Sequence, residues 1–232
     1  MINLFLDNGL FSLYHIIALV ITVIYIGVLV FFSRKLSLDK CTKILLIIGI
    51  ISETIKVVTY VNRNYTLHDS SYLPKSDLPF HLCSIQIIFM IILNLTKNEK
   101  LKRFLYSFMV PSCLVGGFMA LIIAVWSSRN IPIITFQYFM YHGAIIAYAI
   151  KLLMTDEIEF TIKDMGNAFI MLFSMFFIAT YINSIVADGV SDVNFMYVTY
   201  PPMKDLPYLN MNQGWIGYIL KYASIAILAI LL

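Results

Sequence analysis

The sequence predicts an all-α, polytopic membrane protein with seven transmembrane helices, an external N-terminus and a cytoplasmic C-terminus. Composition is the first reason: 60% of the residues are apolar and only 12% are charged. A mean hydropathy of +0.85 exceeds what a soluble domain of this length buries. The second reason is periodic segmentation. Seven hydrophobic segments of spanning length run near 11–32, 42–61, 79–95, 102–126, 131–154, 160–186 and 213–232. The third is the loop charge. The first, third and fifth loops hold ten basic residues: Arg34, Lys35, Lys40, Lys43, Lys97, Lys100, Lys102, Arg103, Lys151 and Lys163. The other three hold four: Arg63, Lys75, Arg129 and Lys204. Basic loops stay cytoplasmic, which sets the orientation.

The whole chain, 1–232, reads as a single transmembrane domain in the cell membrane. Its net charge of +3 sits in these loops and implies no nucleic-acid partner. The first apolar run is too long for a cleavable signal peptide, and its basic residues follow it. Cys41, Cys83 and Cys113 lie in spans or at a loop edge, unlike a secreted disulfide framework.

The first span carries His15 near the outer surface beside Tyr14, a pair suited to interfacial anchoring or to a cavity wall. The second places Glu53, Lys56 and Tyr60 on one stripe. Glu53 and Lys56, three apart, neutralise one another or offer Lys56 to an anionic headgroup.

The third span opens at Leu78-Pro79-Phe80-His81-Leu82-Cys83. Proline suits a first helical turn, and Asp77 or Ser76 is expected to cap it. Cys83, Gln86, Met90 and Asn94 then share a stripe, with His81 on the far side of a regular helix. In the fourth span Pro111 and Gly116-Gly117 permit a kink and close helix approach, and Cys113 reads as a packing residue.

The fifth span starts at Pro132 and puts Thr135, Tyr138 and His142 on one face. His142 serves there either as a structural hydrogen-bonding group or as a base. It lies ~15 Å along its span, against ~6–9 Å for Cys83, so tilt or a long cavity is needed to level the two. Polar groups of the sixth span (Asn167, Ser174, Thr180, Asn183) suit interhelical hydrogen bonds. Lys221 in the seventh either snorkels or pairs with an acid.

Ionisable residues inside membranes mark function by default. A thiol with an imidazole suffices for acyl transfer through an acyl-thioester. Gln86, Tyr138 or a backbone N–H at the start of the third helix are candidate oxyanion donors. No cofactor and no metal is expected. His15, His81 and His142 lack both a His-x3-His pair and a nearby intramembrane carboxylate. A retinal protein built on Lys221 lacks an acidic counter-ion in the third span. The main alternative is a transporter or small-molecule binder using the polar groups Glu53, Lys56, Asn94, Asn183 and His15.

The chain resembles the YwaF-like bacterial integral membrane proteins and their eukaryotic relative, transmembrane protein 164. The likeness rests on Leu78-Pro79-Phe80-His81-Leu82-Cys83-Ser84, on His142, on Asn194-Phe195-Met196-Tyr197 with Pro201-Pro202, and on Gly214-Trp215-Ile216-Gly217-Tyr218. It implies a seven-helix fold shared with intramembrane lipid hydrolases that use threonine and histidine. In the eukaryotic relative a cysteine replaces that threonine and is taken to form an acyl-enzyme in phospholipid acyl exchange. By position, Cys83 is then the nucleophile and His142 the base. Asn194 would make a polar contact at the outer cavity mouth. The implied partners are membrane phospholipids or lysophospholipids, acting as acyl donor and acceptor.

Overall fold

The computed structural model describes residues 11–66, 73–123, 131–189, 193–203 and 206–231. Arg129 and Lys204, the 124–126 end of the predicted fourth span, and Leu232 at the end of the seventh lie outside the described residues. Among the described residues the chain is helical without strands. The helices are α1 (Leu13–Ser33), α2 (Leu38–Thr66), α3 (Leu82–Leu95), α4 (Glu99–Pro111), α5 (Gly117–Ile123), α6 (Pro132–Met154), α7 (Ile162–Val186) and α8 (Gly214–Leu231). A π-turn, Ser112–Gly116, joins α4 to α5.

Among the described residues, six segments are long and apolar enough to cross a membrane: α1, α2, Glu99–Ile123, α6, α7 and α8. The protein is a polytopic membrane protein. Its outer faces carry the large apolar side chains that lipid favours, such as Val23 and Ile24 on α1, Phe173 on α7 and Leu220 on α8. Helix α3, also apolar, is shorter, with 14 residues. Its helical part is about 21 Å long at 1.5 Å per residue.

Helix α6 is the axis of the bundle. Its length from Tyr141 to Ala149 is buried continuously. Gly143, Ala144, Ala147 and Ala149 let neighbouring backbones approach, the usual basis of helix association in lipid. Helices α1, α2 and α5 and the π-turn all pack on it. The predicted kink in the fourth span is the π-turn after Pro111. Beyond it, a Cβ on Gly117 would lie 2.7 Å from Ile146 Cγ1, so glycine is what permits the α5–α6 contact.

The ends of the bundle are tied by capping and charge. Asn98 caps α4 by accepting from Lys100 and Leu101 N–H. Thr161 and Asp164 form a capping box on α7. Asp164 also receives two Arg103 hydrogen bonds, from Nε at 2.7 Å and Nη2 at 2.6 Å, linking α4 to α7. Glu157 Oε1 accepts from Leu38 N–H at 2.8 Å and caps α2 from a distant loop. At the opposite end Lys75 pairs with Asp188 at 2.6 Å.

One local expectation needs correction. Helix α3 starts at Leu82, not at Pro79, and neither Asp77 nor Ser76 caps it. Leu78, preceding the proline, is extended (φ −59°, ψ 150°), as the proline ring requires. His81 is the N-cap residue with ψ 152°, so the chain enters the helix three residues late. Asp77 instead ends a short 3-10 turn, Lys75–Asp77. Lys221, for which the sequence leaves snorkelling or an acid partner open, donates to the Asn210 side-chain amide oxygen at 3.1 Å. The amide lies in the loop before α8, so the lysine reaches toward that end of its helix.

Candidate active site

Cys83 occupies the first turn of α3 and is partly buried. The first hydrogen bond of that helix runs from Ile85 N–H to His81 C=O at 3.0 Å. The N–H groups before it have no intrahelical acceptor, and such an end attracts negative charge. Ser84 supplies both its backbone N–H and its hydroxyl beside the Cys83 sulfur.

An ion pair fixes this turn. Lys56 Nζ lies 2.8 Å from Glu53 Oε2, one turn apart on α2. Lys56 also donates to Asp77 C=O at 3.0 Å. Ser84 Oγ donates to Glu53 Oε1 at 2.9 Å. The pair therefore clamps α2 to both the entry segment and the first turn of α3. Glu53 and Lys56 are also the charged neighbours of Cys83.

Helix α6 reaches α3 through a tyrosine side chain. Tyr141 Oη donates to Cys83 C=O at 2.9 Å. His142 is the next residue along. The sequence places His142 deeper than Cys83, and the Tyr141 bond joins its immediate neighbour to the Cys83 backbone. The His142 ring is buried, with Nδ1 2.7 Å from Tyr138 C=O. A carbonyl only accepts, so Nδ1 carries the hydrogen. In the neutral ring Nε2 is then the acceptor nitrogen, the form a general base requires. Tyr138, a proposed oxyanion donor, gives its hydroxyl to Ala120 C=O at 2.7 Å and lies against the His142 ring, with centroids 4.2 Å apart.

His81 sits at the mouth of this turn. Its Nε2 donates to Ser76 C=O at 3.2 Å. Its ring meets Phe195 edge-on at 5.3 Å and Tyr197 at 5.6 Å. The 193–200 loop covers it and is itself strongly held. Asn194 accepts from Thr199 N–H and donates to Tyr200 C=O, so both ends of its amide serve the loop. Asn183 of α7 binds both backbone groups of Phe195. Tyr218, Tyr222 and Trp215 of α8 donate to the carbonyls of Tyr197, Met196 and Val198. Met196 and Tyr197 adopt positive φ (55° and 52°), a conformation those bonds sustain.

Gln86 lies one turn below Cys83 and is 1% exposed. Its Nε2 donates to Ser112 Oγ at 3.1 Å, while Oε1 is buried without a hydrogen-bond partner. The unpaired atom is an acceptor, so this amide offers itself to a hydroxyl rather than to an oxyanion.

His15 is a correction. The sequence suggests an interfacial anchor or a cavity wall, yet the ring is 0% exposed. Nδ1 accepts from Phe11 N–H at 3.0 Å, and Nε2 donates to Leu121 C=O at 2.9 Å. Nε2 ties α1 to the end of α5, while Nδ1 holds the segment that enters α1.

Sequence reasoning missed Ser84 and Tyr141. Each is the immediate neighbour of a predicted catalytic residue, and only that adjacency marked them. No cluster of three or more metal-ligating side chains occurs among the described residues.

The model of the TMEM164 family matches residues 10–232. The chain belongs to the TMEM164 family. The match takes in every element described above, including the Cys83 turn, Tyr141-His142 and the 193–200 loop. No curated protein and no solved structure matches the chain.

Proposed function

We propose that this TMEM164-family protein is a membrane-embedded lipid acyltransferase or acyl-ester hydrolase. Cys83 is the nucleophile and His142 the base, and the substrates are phospholipids or lysophospholipids. The observation carrying this reading is the Tyr141–Cys83 bond. It ties the turn that carries the thiol to the residue next to an imidazole whose acceptor nitrogen is Nε2, which supports this reading.

In the forward step, His142 Nε2 takes the Cys83 proton and the thiolate adds to an acyl-ester carbonyl. The tetrahedral oxyanion faces N–H groups at the start of α3. Collapse breaks the ester C–O bond, and the lysolipid alkoxide takes the proton from His142. In the second step an acceptor hydroxyl gives its proton to Nε2 and attacks the thioester, the C–S bond breaks, and the Cys83 thiolate takes that proton back from Nε2. Gln86 Oε1 is the acceptor that positions such a hydroxyl. If water takes its place, the outcome is hydrolysis.

We further infer seven spans, with α3 as the seventh. Its helical part covers about 21 Å of a hydrocarbon thickness of about 30 Å, and the turn at residues 79–81, closed by the Phe80 N–H to Leu78 C=O bond, carries the chain beyond it. Non-helical backbone at such depth is tolerated where protein covers it, as the 193–200 loop does here. The odd loops are cytoplasmic, the N-terminus faces outward, and the site opens to the outer leaflet of the cell membrane.

The test is to trap the intermediate. Purified protein incubated with phospholipid should gain one acyl mass that hydroxylamine removes. Cys83→Ala should not gain it, whereas the Cys41→Ala/Cys113→Ala double variant should. His142→Gln should acylate about 10²–10⁴-fold more slowly. Acylation of Cys83→Ala at the wild-type rate refutes the assignment. Solute flux in proteoliposomes that survives loss of Cys83 favours a transporter instead.

A further inference from the structure

Helices α1 and α2 both pack on α6, and near their linked ends they leave an opening between them. A cavity of about 120 Å³ lies there. Phe32 and Leu36 wall one side, Ile44 and Ile48 the other, and Ala144 and Ala147 of α6 form the floor. The alanines leave the depth. Lys151, in the last turn of α6, closes one end.

Lys151 is 8% exposed. Among the described residues no carboxylate lies within ion-pair distance of it, and no hydrogen bond engages its ammonium. The nearby acid Glu157 is committed to Leu38 N–H and the Thr155 hydroxyl. A cation held out of water without a partner is costly. Its position at a helix C-terminus offsets only part of that cost. Arg34, Lys35, Lys40 and Lys43 stand exposed around the same end of the bundle.

We propose that this opening binds an anionic phospholipid, with the headgroup phosphate on Lys151 and an acyl chain along the groove between α1 and α2. The charge selects an anion, and the apolar walls select one that carries a hydrocarbon chain. Basic pockets between helices at the cytoplasmic face hold lipid headgroups by this combination. The site is separate from Cys83. Lys151 lies ten residues along α6 from Tyr141, about 15 Å at helical rise. The proposal therefore stands whether or not Cys83 is catalytic.

The experiment is thermal unfolding of the full chain in neutral detergent with three probes: dioleoyl phosphatidylglycerol, dioleoyl phosphatidylcholine and inorganic phosphate. Phosphatidylglycerol should raise the midpoint, and the other two should not. Lys151→Met should lose the response and Lys151→Arg should keep it. Ala147→Phe, which fills the groove and leaves the charge, should lose it, whereas Lys40→Gln on the exposed rim should keep it. If Lys151→Met does not fold, the Ala147→Phe and Lys40→Gln pair decides. A wild-type response in Lys151→Met or Ala147→Phe overturns the proposal. So does an equal response to inorganic phosphate, which would make the site one for a free anion.

Discussion

Gly49 tests whether the close approach of α2 to the site is what the packing requires. A Cβ at this position would lie 2.9 Å from Ile87 Cγ1 on α3 and 3.4 Å from Tyr141 Cε2 on α6. Carbon atoms at rest are about 3.5–4.0 Å apart. Gly49→Ala therefore forces α2 back from α3 by about 0.6–1 Å. Overpacking of this kind costs about 1–3 kcal/mol, against a helix-propensity gain of about 1 kcal/mol. Gly27 on α1 is the control, because nothing lies within 4 Å of a Cβ built there. Gly27→Ala should show the propensity gain alone. The two variants should thus differ in stability by about 1–3 kcal/mol, with Gly49→Ala the lower. For a chain of this size each kcal/mol moves the melting midpoint by about 2–4 °C. Circular dichroism melts in detergent measure this, giving midpoints separated by about 2–12 °C. Glu53 is one turn beyond Gly49, so its bond to Ser84 should loosen as well, and acylation of Cys83 should slow more than stability alone explains. If both glycine variants rise in stability together, α2 does not approach α3 and α6 as described, and the clamp argument fails with it.

Tyr141→Phe should cost about 0.5–1.5 kcal/mol in stability, the net worth of one hydrogen bond. Cys83 C=O keeps its own helical partner. The same variant should reduce the rate of Cys83 acylation more than it reduces the folded fraction, measured by intact mass against time. An unchanged rate would remove Tyr141 as a positioning residue. His15→Leu should lower stability by about 1–3 kcal/mol, since it strands the Leu121 C=O and Phe11 N–H groups. The folded fraction should still acylate, and a protein that folds normally but does not acylate would return His15 to the site.

How far the sequence could be read depended on whether a residue's role is local. Gln86 fell on the Cys83 stripe because helical periodicity fixes which residues share a face, and Gln86 and Met90 are indeed buried. The Glu53–Lys56 pair needed only their three-residue spacing. The start of α3 was misplaced because Pro79 fits a first turn equally well in an extended entry segment. Which occurs depends on the loop at 193–200, more than a hundred residues away. His15 was misjudged for a similar reason. Its neighbour Tyr14 suggests an interface, but the atom that claims its Nε2 is the carbonyl of Leu121.

The sequence by itself determined the solvent this chain is built for. Apolar segments, their lengths and the distribution of basic residues follow from transfer energies, which are properties of residues one at a time. It also supplied the thiol, the imidazole and the motif around them. Only the tertiary structure decided that α6 is the axis, that Tyr141 meets Cys83, and that Lys151 lies beneath an opening with no carboxylate of the described residues paired to it. Those depend on how helices lean on one another. In a bilayer that is set by small residues and single hydrogen bonds, which hydrophobic patterning does not encode.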